Sequence, residues 1–440
     1  MLCLRLAESM LQGMFNALKV FHGAFCNALL PNHKPFLSGN YAEPARSSNA
    51  KGALRETDGT RFVTETNVII GGGVAGATAA LALSRAGRPV DLYERSSSAS
   101  HKICGEFLSR EVSANMRSLG VDPARLGARP INRVRLVHGN RSVDEPLPFP
   151  ALALSRKVLD EALLEHARAC GVNVIRGKAA RRIEQLDDGS LEVSFGSDGS
   201  TKARTVFLAT GKHDLRGVKR AATGPQRGYV ALKMYYRFNK KKTEYLRWVT
   251  ELIFLKECYL GLMLVEDDQV NFCFVISEAR FAEAGGTWDG VLQQFSRESA
   301  YVAAYLAGAE PLLDRPIAIS SIPYGFVHSP SDSDPLGLWR LGDQIAVIPS
   351  FTGDGMGIAT CSAVLAAKMF LEGATSREFH HHFSGVVRRQ MRVSKPLNGM
   401  LFRHTISQNA IIWLASLFPT SVRTIARLTR VPEKAMCGLD

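Results

Sequence analysis

The sequence predicts an α/β protein with a mostly antiparallel β insertion and a C-terminal helical tail. Three observations support this prediction. A strand, a glycine turn, a helix and a second strand follow one another between Asn67 and Glu94. Alternating, β-rich segments with a hairpin turn at 266–268 follow later. From Met356 onward the hydrophobic periodicity is helical, with breaks predicted at Pro396 and Pro419.

The first element is the turn Gly71-Gly72-Gly73-Val74-Ala75-Gly76, which has the spacing G-x-G-x-x-G. Gly71 allows a tight turn out of the strand, Gly73 lets the backbone approach a pyrophosphate, and Gly76 lets the helix pack close to the sheet. Glu94 ends the second strand, 23 residues after Gly71. A carboxylate there can accept both hydroxyls of an adenosine ribose. The sequence therefore predicts a dinucleotide site.

A second glycine-rich turn lies much later in the chain. Leu341-Gly342-Asp343 ends a predicted strand, and Pro349 to Gly357 opens a helix through Gly353, Gly355, Met356 and Gly357. Asp343 can hold a ribose or ribityl hydroxyl, and the helix start offers N–H groups to negative charge. The alternative is an ordinary helix start that Asp354 caps.

These patterns divide the chain into five segments. They are an N-terminal extension and linker (1–66), the first part of the nucleotide-binding domain (67–220), a substrate domain (221–335), the second part of the nucleotide-binding domain (336–375) and a helical tail (376–440). The stretch from Pro31 to Gly59 is rich in Pro, Ser, Asn and Gly, which is typical of a linker. We leave open whether the extension is a transit peptide or has no role in the fold.

Composition excludes several classes. A hydrophobic fraction of 46% and a charged fraction of 22% are those of a globular protein with a sizeable core. Two basic segments, 212–242 and 376–440, contribute +9 and +7 to a net charge of +13, so the rest of the chain is slightly acidic. No nucleic-acid-binding motif accompanies them, so nucleic acid is not an expected partner.

The eight cysteines include no pair at C-x-x-C spacing, which predicts reduced thiols, no zinc site and a cytoplasmic protein. The tandem His380-His381-His382 has no spaced partner and predicts a solvated helix end, so no metal is expected. No uncharged apolar run reaches the ~18 residues that a membrane-spanning helix needs.

Together the two glycine turns resemble the flavoprotein superfamily of p-hydroxybenzoate hydroxylase-like monooxygenases and geranylgeranyl reductase-like enzymes, from Asn67 to about Gly373. The resemblance implies a Rossmann-like FAD-binding domain, with Glu94 on the AMP ribose and Asp343 on the ribityl or pyrophosphate part. It implies that the helix start at 353–357 faces the flavin. Arg156 matches a position often near the pyrophosphate, although a solvated helix-start arginine is equally compatible. Arg95, next to Glu94, joins this predicted cofactor-binding set.

Two branches of the superfamily remain open. The run His101-Lys102-Ile103-Cys104-Gly105-Glu106 resembles a segment of the reductase branch in which the cysteine lies by the flavin, so Cys104 is the one candidate catalytic residue. Its alternative is a small buried hydrophobe. Thr210 stands where the hydroxylases carry an aspartate, which counts against direct use of NAD(P)H, the candidate electron donor. The W-x-W-x-I-P run expected of flavin-dependent halogenases is absent.

The predicted function is an FAD-dependent oxidoreductase, of monooxygenase type, that acts on an apolar, aromatic, polyketide-like or isoprenoid-like small molecule. The first alternative is an ene reductase of the geranylgeranyl reductase type. The second is a non-catalytic flavin-binding protein at a membrane surface. The last alternative depends on Met400 to Arg430, where apolar residues interleave with arginines. That pattern predicts either peripheral membrane contact or, as we favour, helices that cover the substrate domain.

Overall fold

The structure of the protein is a computed structural model that describes residues 66–220, 228–403 and 405–432. The predicted N-terminal extension therefore lies, except for its last residue, outside the described residues. So does the end of the predicted tail, from residue 433 onward.

The strands of the described chain lie between Asn67 and Val347. They are β1 (Asn67–Ile70), β2 (Val90–Glu94), β3 (Phe107–Leu108), β4 (Arg129–His138), β5 (Arg141–Ala153), β6 (Asn173–Arg176), β7 (Arg182–Gln185), β8 (Leu191–Ser194), β9 (Ser200–Ala203), β10 (Val206–Leu208), β11 (Tyr229–Arg237), β12 (Val249–Leu255), β13 (Cys258–Leu264), β14 (Val270–Ser277), β15 (Glu310–Pro311), β16 (Ile317–Ser320), β17 (Phe326–Val327), β18 (Leu338–Arg340) and β19 (Ala346–Val347).

Helices connect these strands and form the tail. They are α1 (Val74–Arg85), α2 (Arg110–Ser118), α3 (Arg156–Ala169), α4 (Lys240–Tyr245), α5 (Glu278–Glu283), α6 (Trp288–Glu298), α7 (Ala300–Leu306), α8 (Gly355–Leu371), α9 (Ser376–Arg403), α10 (Thr405–Leu417) and α11 (Pro419–Leu428).

The nucleotide-binding part is a five-stranded parallel sheet in the order β18-β10-β1-β2-β6. All four residues of β1 are buried at its centre. Helix α1 is rich in alanine, and Ala77, Ala79 and Ala80 are fully buried. Small side chains let α1 lie close to both the sheet and α8. The carboxyl ends of the parallel strands consequently share one edge, where the two glycine turns begin.

The large sheet is mostly antiparallel, in the order β15-β11-β14-β13-β12-β4-β5-β3, with β16 on β11. It is not confined to the predicted 221–335, because β3, β4 and β5 come from 107–153. Pro146, Pro148 and Pro150 made β5 hard to predict, since proline cannot donate to a strand ladder. The structure accommodates them with a register shift opposite Ile131 and Arg133.

Helices cover both faces of the large sheet. On one face α6 and α7 bury Val291, Phe295 and Val302 against it. On the other face the tail helices bury residues such as Leu401 and Ile412. The predicted break at Pro419 separates α10 from α11, whereas α9 continues through Pro396.

The predicted α/β fold with an antiparallel β region and C-terminal helices is confirmed. The prediction for the histidine tandem is wrong at its first residue, because His380 is 2% exposed and accepts a hydrogen bond from the Arg340 N–H. No helix among the described residues is both long enough and apolar enough to span a membrane.

Candidate functional site

A cavity of about 1070 Å³ lies at the edge where β1, β2, β10 and β18 end. Ligands of open α/β sheets bind at this edge because the loops that follow the strands meet there. Both glycine turns reach it. The predicted residues that line it are Gly71, Gly73, Glu94, Arg95, Cys104, Arg156, Asp343, Gly353, Gly355 and Met356. Gly76 and Gly357 lie outside the cavity lining.

The first turn is fixed by its own backbone. Gly71 has φ +106°, and a Cβ there would lie 2.3 Å from the Ala209 carbonyl oxygen. A Cβ on Gly76 would lie 1.8 Å from the Gly71 carbonyl oxygen. Neither position can hold a side chain unless the backbone shifts. Gly76 therefore has the helix-packing role that its place in the motif predicts, which explains its absence from the cavity wall.

Glu94 supports this turn from β2. Its carboxylate accepts hydrogen bonds from the Gly72 N–H at 2.7 Å and the Ser96 N–H at 2.9 Å. Burial by itself raises the pKa of Glu94, but the hydrogen bonds from Ser96 and Gly72, with the charge of Lys102, outweigh it and lower the pKa. Glu94 is therefore an anion with lone pairs directed to the cavity edge, suited to accepting hydroxyl groups.

The second turn is held by the tail. The Arg430 guanidinium donates to the carbonyls of Thr352 and Gly353 and to the Asp354 carboxylate, which lies 3.2 Å away. Gln390 donates to the other Asp354 oxygen at 2.9 Å. Asp354 makes no side-chain capping bond to α8, so the capping alternative is wrong. Its carboxyl lies beside Gly357 in the first turn of α8 and is held by hydrogen bonds from Gln390 of α9 and from Arg430 after α11.

Asp354 is fully buried, which raises its pKa to about 7, although the charge of Arg430 opposes this rise. A Cβ on Gly357 would lie 2.4 Å from the Asp354 Oδ1. Gly357 thus leaves room for this carboxyl, a role that the sequence did not indicate. Asp354 directly precedes α8, whose N-terminus faces the cavity. The charge of Asp354 and the dipole of α8 therefore both contribute to the electrostatic potential there.

Asp343 lies opposite, after β18, and accepts a hydrogen bond from the Lys212 Nζ at 2.9 Å. Burial lowers the pKa of Lys212, but the charge and hydrogen bond of Asp343 and the nearby Tyr324 and Cys104 together outweigh burial and raise the pKa, so Lys212 stays cationic. Thr210 donates to the His213 carbonyl at 2.7 Å and closes the loop that carries Lys212. Lys212, from the basic segment 212–242, is thus a cation in the wall of the large cavity.

Arg156 begins α3 and binds Asp160 through two bonds of 2.7 Å. A Cβ on Gly73 would lie 3.1 Å from the Arg156 Nη2, so this guanidinium stands directly over the first turn. Arg95 is exposed at the cavity rim. Both arginines add positive charge on the side of the cavity that the first turn lines.

The segment that carries Cys104 is held by a buried ion pair. Glu106 and Lys233 are each 0% exposed, and the Lys233 Nζ lies 2.6 Å from the Glu106 Oε1. Tyr235 and Asn271 also donate to this carboxylate, and Lys233 donates to the Cys104 carbonyl at 3.2 Å. Burial raises the pKa of Glu106, and these donors oppose the rise. The network joins the Cys104 segment to the large sheet.

A second, smaller cavity of about 240 Å³ lies between the large sheet and the tail helices. Its walls are apolar side chains of β4, β12 and β13 on one side and of α9, α10 and α11 on the other. Arg430 is the one charged residue among the described lining residues, and Asp354 neutralises it. The site suits an uncharged, apolar molecule.

The two cavities adjoin. Six residues line both of them: Gly105, Phe107, Cys273, Val275, Ser350 and Gly353. A line of hydroxyl groups also crosses this boundary. Tyr259, in the apolar cavity, donates to the Ser350 Oγ at 2.7 Å, and Tyr324, in the large cavity, is hydrogen-bonded to the same oxygen. Burial raises the pKa of Tyr324 to about 12, so its hydroxyl stays protonated at neutral pH.

The family model of the FAD binding domain matches residues 64–210, which include the first turn, Glu94 and Thr210. A comparison with curated protein sequences found no match.

Solved structures of flavoproteins share the fold over most of both chains. The flavin-dependent brominase Bmp2 is 15% identical at a TM-score of 0.65, covering 86% of this chain and 94% of its own. The myxobacterial chondrochloren halogenase CndH is 16% identical at a TM-score of 0.64, covering 85% and 96%. A flavoprotein/dehydrogenase from Cytophaga hutchinsonii is 16% identical at a TM-score of 0.62, covering 85% and 98%. These likenesses concern the fold.

Residues 64–210 thus match an FAD binding domain, and the whole fold is shared with solved flavoproteins, in agreement with the predicted resemblance. The geometry of the large cavity also fits FAD, independently of these comparisons. Helices α1 and α8 both begin at its wall without a side-chain cap and without an acidic residue in the first turn. Two free helix N-termini in one cavity suit the phosphates and the electron-rich edge of a dinucleotide. Among the described residues no cluster of His, Cys, Asp or Glu could hold a metal ion.

Proposed function

We propose that this chain is a monooxygenase-type FAD-dependent oxidoreductase that oxidises an apolar aromatic, polyketide-like or isoprenoid-like small molecule. The observation that carries the proposal is the shared wall between the apolar cavity and the large cavity. A substrate in the first would lie next to a cofactor in the second, without charged groups between them.

Bound FAD would supply the electron transfer to O2 that this chemistry needs. The protein's part is to bind, to position and to exclude water. We assign phosphate binding to the first turn with Arg156 and Arg95, ribose binding to Glu94, and the flavin end to Asp343 and to residues 353–357. The apolar side chains of the sheet and the tail exclude water from the substrate.

Proton movement in this proposal uses the hydroxyl line. Ser350 Oγ stands between the Tyr259 and Tyr324 hydroxyls, one from each cavity. Each hydroxyl can donate one hydrogen bond and accept another. The line can therefore relay a proton between substrate and cofactor while bulk water stays outside.

The electron donor is the less specific part of the proposal. NAD(P)H remains the candidate, but Thr210 and the lack of a second G-x-G-x-x-G turn favour electron delivery by a separate reductase. Halogenation, the activity of Bmp2 and CndH, is a weaker candidate because this chain lacks the W-x-W-x-I-P run. An ene reductase is favoured by the Cys104-Gly105-Glu106 run and by Thr210 in place of the hydroxylase aspartate, and all four residues line the large cavity.

A single reoxidation experiment separates these candidates. The FAD-loaded chain is reduced anaerobically and mixed with ¹⁸O2 in the presence of simple phenols or isoprenoid alcohols. We expect a product that carries ¹⁸O and a lower peroxide yield per flavin. Reoxidation by an isoprenoid without O2 would indicate an ene reductase, and a brominated product in added bromide would indicate a halogenase. No dependence on any probe would support a non-catalytic flavin-binding protein.

Gly261 offers a matched test of the substrate cavity. It lines the apolar cavity alone, and a Cβ there makes only ordinary contacts, 3.6 Å or more away. Gly261→Leu should fill the cavity and abolish the probe-dependent change while the flavin spectrum stays the same. Gly385→Leu, at an exposed glycine of α9 with no atom within 4 Å of its Cβ, is the control.

A further inference from the structure

The last turn of α10 and the residue that follows it expose an apolar cluster that does not line either cavity. Trp413 is 36% exposed, Leu417 51% and Phe418 59%. The other large exposed hydrophobic residues of the described chain lie far from it in sequence, at 245, 248, 336 and 371. Three such side chains within six residues form a patch, and a contiguous exposed patch marks an interaction surface more often than isolated residues do.

The sequence around this apolar turn, 413–418, has an unusual charge pattern. From Thr405 to Val422 there is no Asp, Glu, Lys or Arg, and from Phe379 to Pro432 there is no Asp or Glu. The second stretch carries eight Lys and Arg residues. Helix α10 is uncharged, with basic residues before and after it and no acidic residue nearby in sequence. This pattern is complementary to a layer that has an apolar interior and anionic groups at its surface.

The basic residues that flank the apolar turn are largely accessible. Arg427 on α11 is exposed, and the Arg423 side chain is 43% exposed with a 3.8 Å contact to Glu145. Arg388, Arg392 and Lys395 of α9 are also exposed, but they lie ten or more residues before α10 and are not part of the proposed surface. Arg430 is excluded from this set, because it is committed to Asp354.

The same helices form the roof of the apolar cavity. Leu414 and Ala415 of α10 and Val422 of α11 line the cavity, while Trp413, Leu417 and Phe418 point to solvent. The outer patch and the inner cavity are thus two sides of one thin helical layer. A molecule that leaves a lipid phase at the patch has only this layer to cross.

We propose that the apolar turn 413–418 inserts into the surface of an anionic lipid bilayer, with Arg423 and Arg427 at the headgroups. Trp and Phe side chains are favoured at this depth because their rings tolerate both lipid and water. The membrane then serves as the reservoir of the apolar substrate. This last clause rests on the proposed function, whereas the docking itself can be measured without turnover.

The test uses the full FAD-loaded chain and sedimentation with vesicles. We expect it to sediment with phosphatidylcholine vesicles that contain phosphatidylglycerol, and at least tenfold less with vesicles of phosphatidylcholine alone. The variant W413S/L417S/F418S should lose at least tenfold in vesicle binding. The matched control L336S/L371S removes exposed leucines elsewhere and should bind like the wild type. Flavin absorbance verifies that each variant is folded.

Two more measurements make the result specific. R423Q/R427Q should weaken binding to the anionic vesicles and leave the residual binding to neutral vesicles unchanged. Gel filtration without lipid tests a second copy of the chain as the occupant. The proposal is overturned if the wild type stays in the supernatant, if the triple variant sediments equally, or if the triple variant instead dissociates a dimer that binds no vesicles. None of these outcomes depends on whether a substrate is turned over.

Discussion

The two glycine turns that line the large cavity, 71–76 and 353–357, are stabilised in different ways. In the first, backbone atoms lie so close to Gly71 and Gly76 that no Cβ fits. In the second, a Cβ on Gly355 would meet nothing within 4 Å, and Arg430 holds the turn by hydrogen bonds from the end of the chain. The first turn is fixed by its own backbone packing, whereas the second is held largely by Arg430 and Gln390, which are distant in sequence. The two turns have similar sequences but depend on different parts of the molecule for their conformation.

The carboxyl groups next to the two turns, Glu94 and Asp354, differ in the direction in which their pKa is shifted. Glu94 beside the first turn has a lowered pKa because backbone N–H groups more than offset its burial. Asp354 in the second turn has a pKa raised to about 7 because its burial outweighs Arg430. The first turn keeps a fixed charge near neutral pH, and the second contains a group that titrates there.

The largest expected effect on stability tests the backbone packing. Gly76→Ala forces a Cβ against the Gly71 carbonyl and should lower the free energy of unfolding by about 3 kcal/mol or more, with loss of FAD. Gly355→Ala should change it by less than about 1 kcal/mol, because the site is open. Urea unfolding and flavin content measure both. Equal effects from the two substitutions would refute the contrast.

The next effect concerns the distant cation. Arg430→Ala leaves the Asp354 carboxyl buried without its partner, which should destabilise the fold by about 3–5 kcal/mol and weaken FAD binding. Adding Asp354→Asn should recover part of the loss, since no buried charge then remains. Arg427→Ala, an exposed arginine of α11, is the control. A single variant R430A as stable as R427A would show that the tail does not support the second turn.

The third prediction is a difference in pH dependence. Because the pKa of Asp354 is raised on folding, its protonated carboxyl contributes to the free energy of unfolding fully below about pH 4. This contribution is lost as the pH rises through about 7, which lowers the free energy of unfolding by on the order of a few kcal/mol. The lowered pKa of Glu94 has the opposite sign, so its contribution is present near neutrality and lost in acid.

Urea unfolding between about pH 2 and pH 8 measures both slopes, because the loss for Glu94 falls below its ordinary pKa of 4.5. In D354N the free energy of unfolding should decline less toward neutral pH than in the wild type. In E94Q it should decline less toward acid pH. D91N, on the same strand as Glu94, is the control. Identical profiles for wild type and D354N would contradict the assigned burial effect.

The smallest expected effect on stability is at Gly73, where FAD binding should still suffer. A side chain there meets the movable end of Arg156 instead of backbone. Gly73→Val should therefore change the free energy of unfolding by about 1 kcal/mol or less and yet remove the yellow colour, because the side chain enters the phosphate site. Full retention of flavin in this variant would count against that site.

These contrasts also show what the sequence could predict. The first turn was predictable because its strand, glycines, helix and Glu94 all lie between Asn67 and Glu94, where local geometry is decisive. The second turn was predictable only as a helix start. Its partner Arg430 was part of a basic, amphipathic tail, and nothing in that pattern indicated that this arginine alone turns inward.

The same limit applies to the Cys104 segment. Lys233 belongs to the basic segment 212–242, yet it is fully buried against Glu106. Such a pairing arises only when β11 is placed beside residues 102–106 by the completed sheet. Periodicity and spacing carry no information on contacts of that range.

The link between Asp354 and Arg430 has a consequence for biosynthesis. The two residues are 76 positions apart, so a ribosome has made the whole second turn well before the cation that holds it. Until then the Asp354 carboxylate stays hydrated and ionised, and the wall of the cavity beside it has no anchor. A nascent chain can therefore complete the strand, helix and acid around Gly71 early, whereas a fully formed flavin cavity has to wait for almost the last helix to emerge.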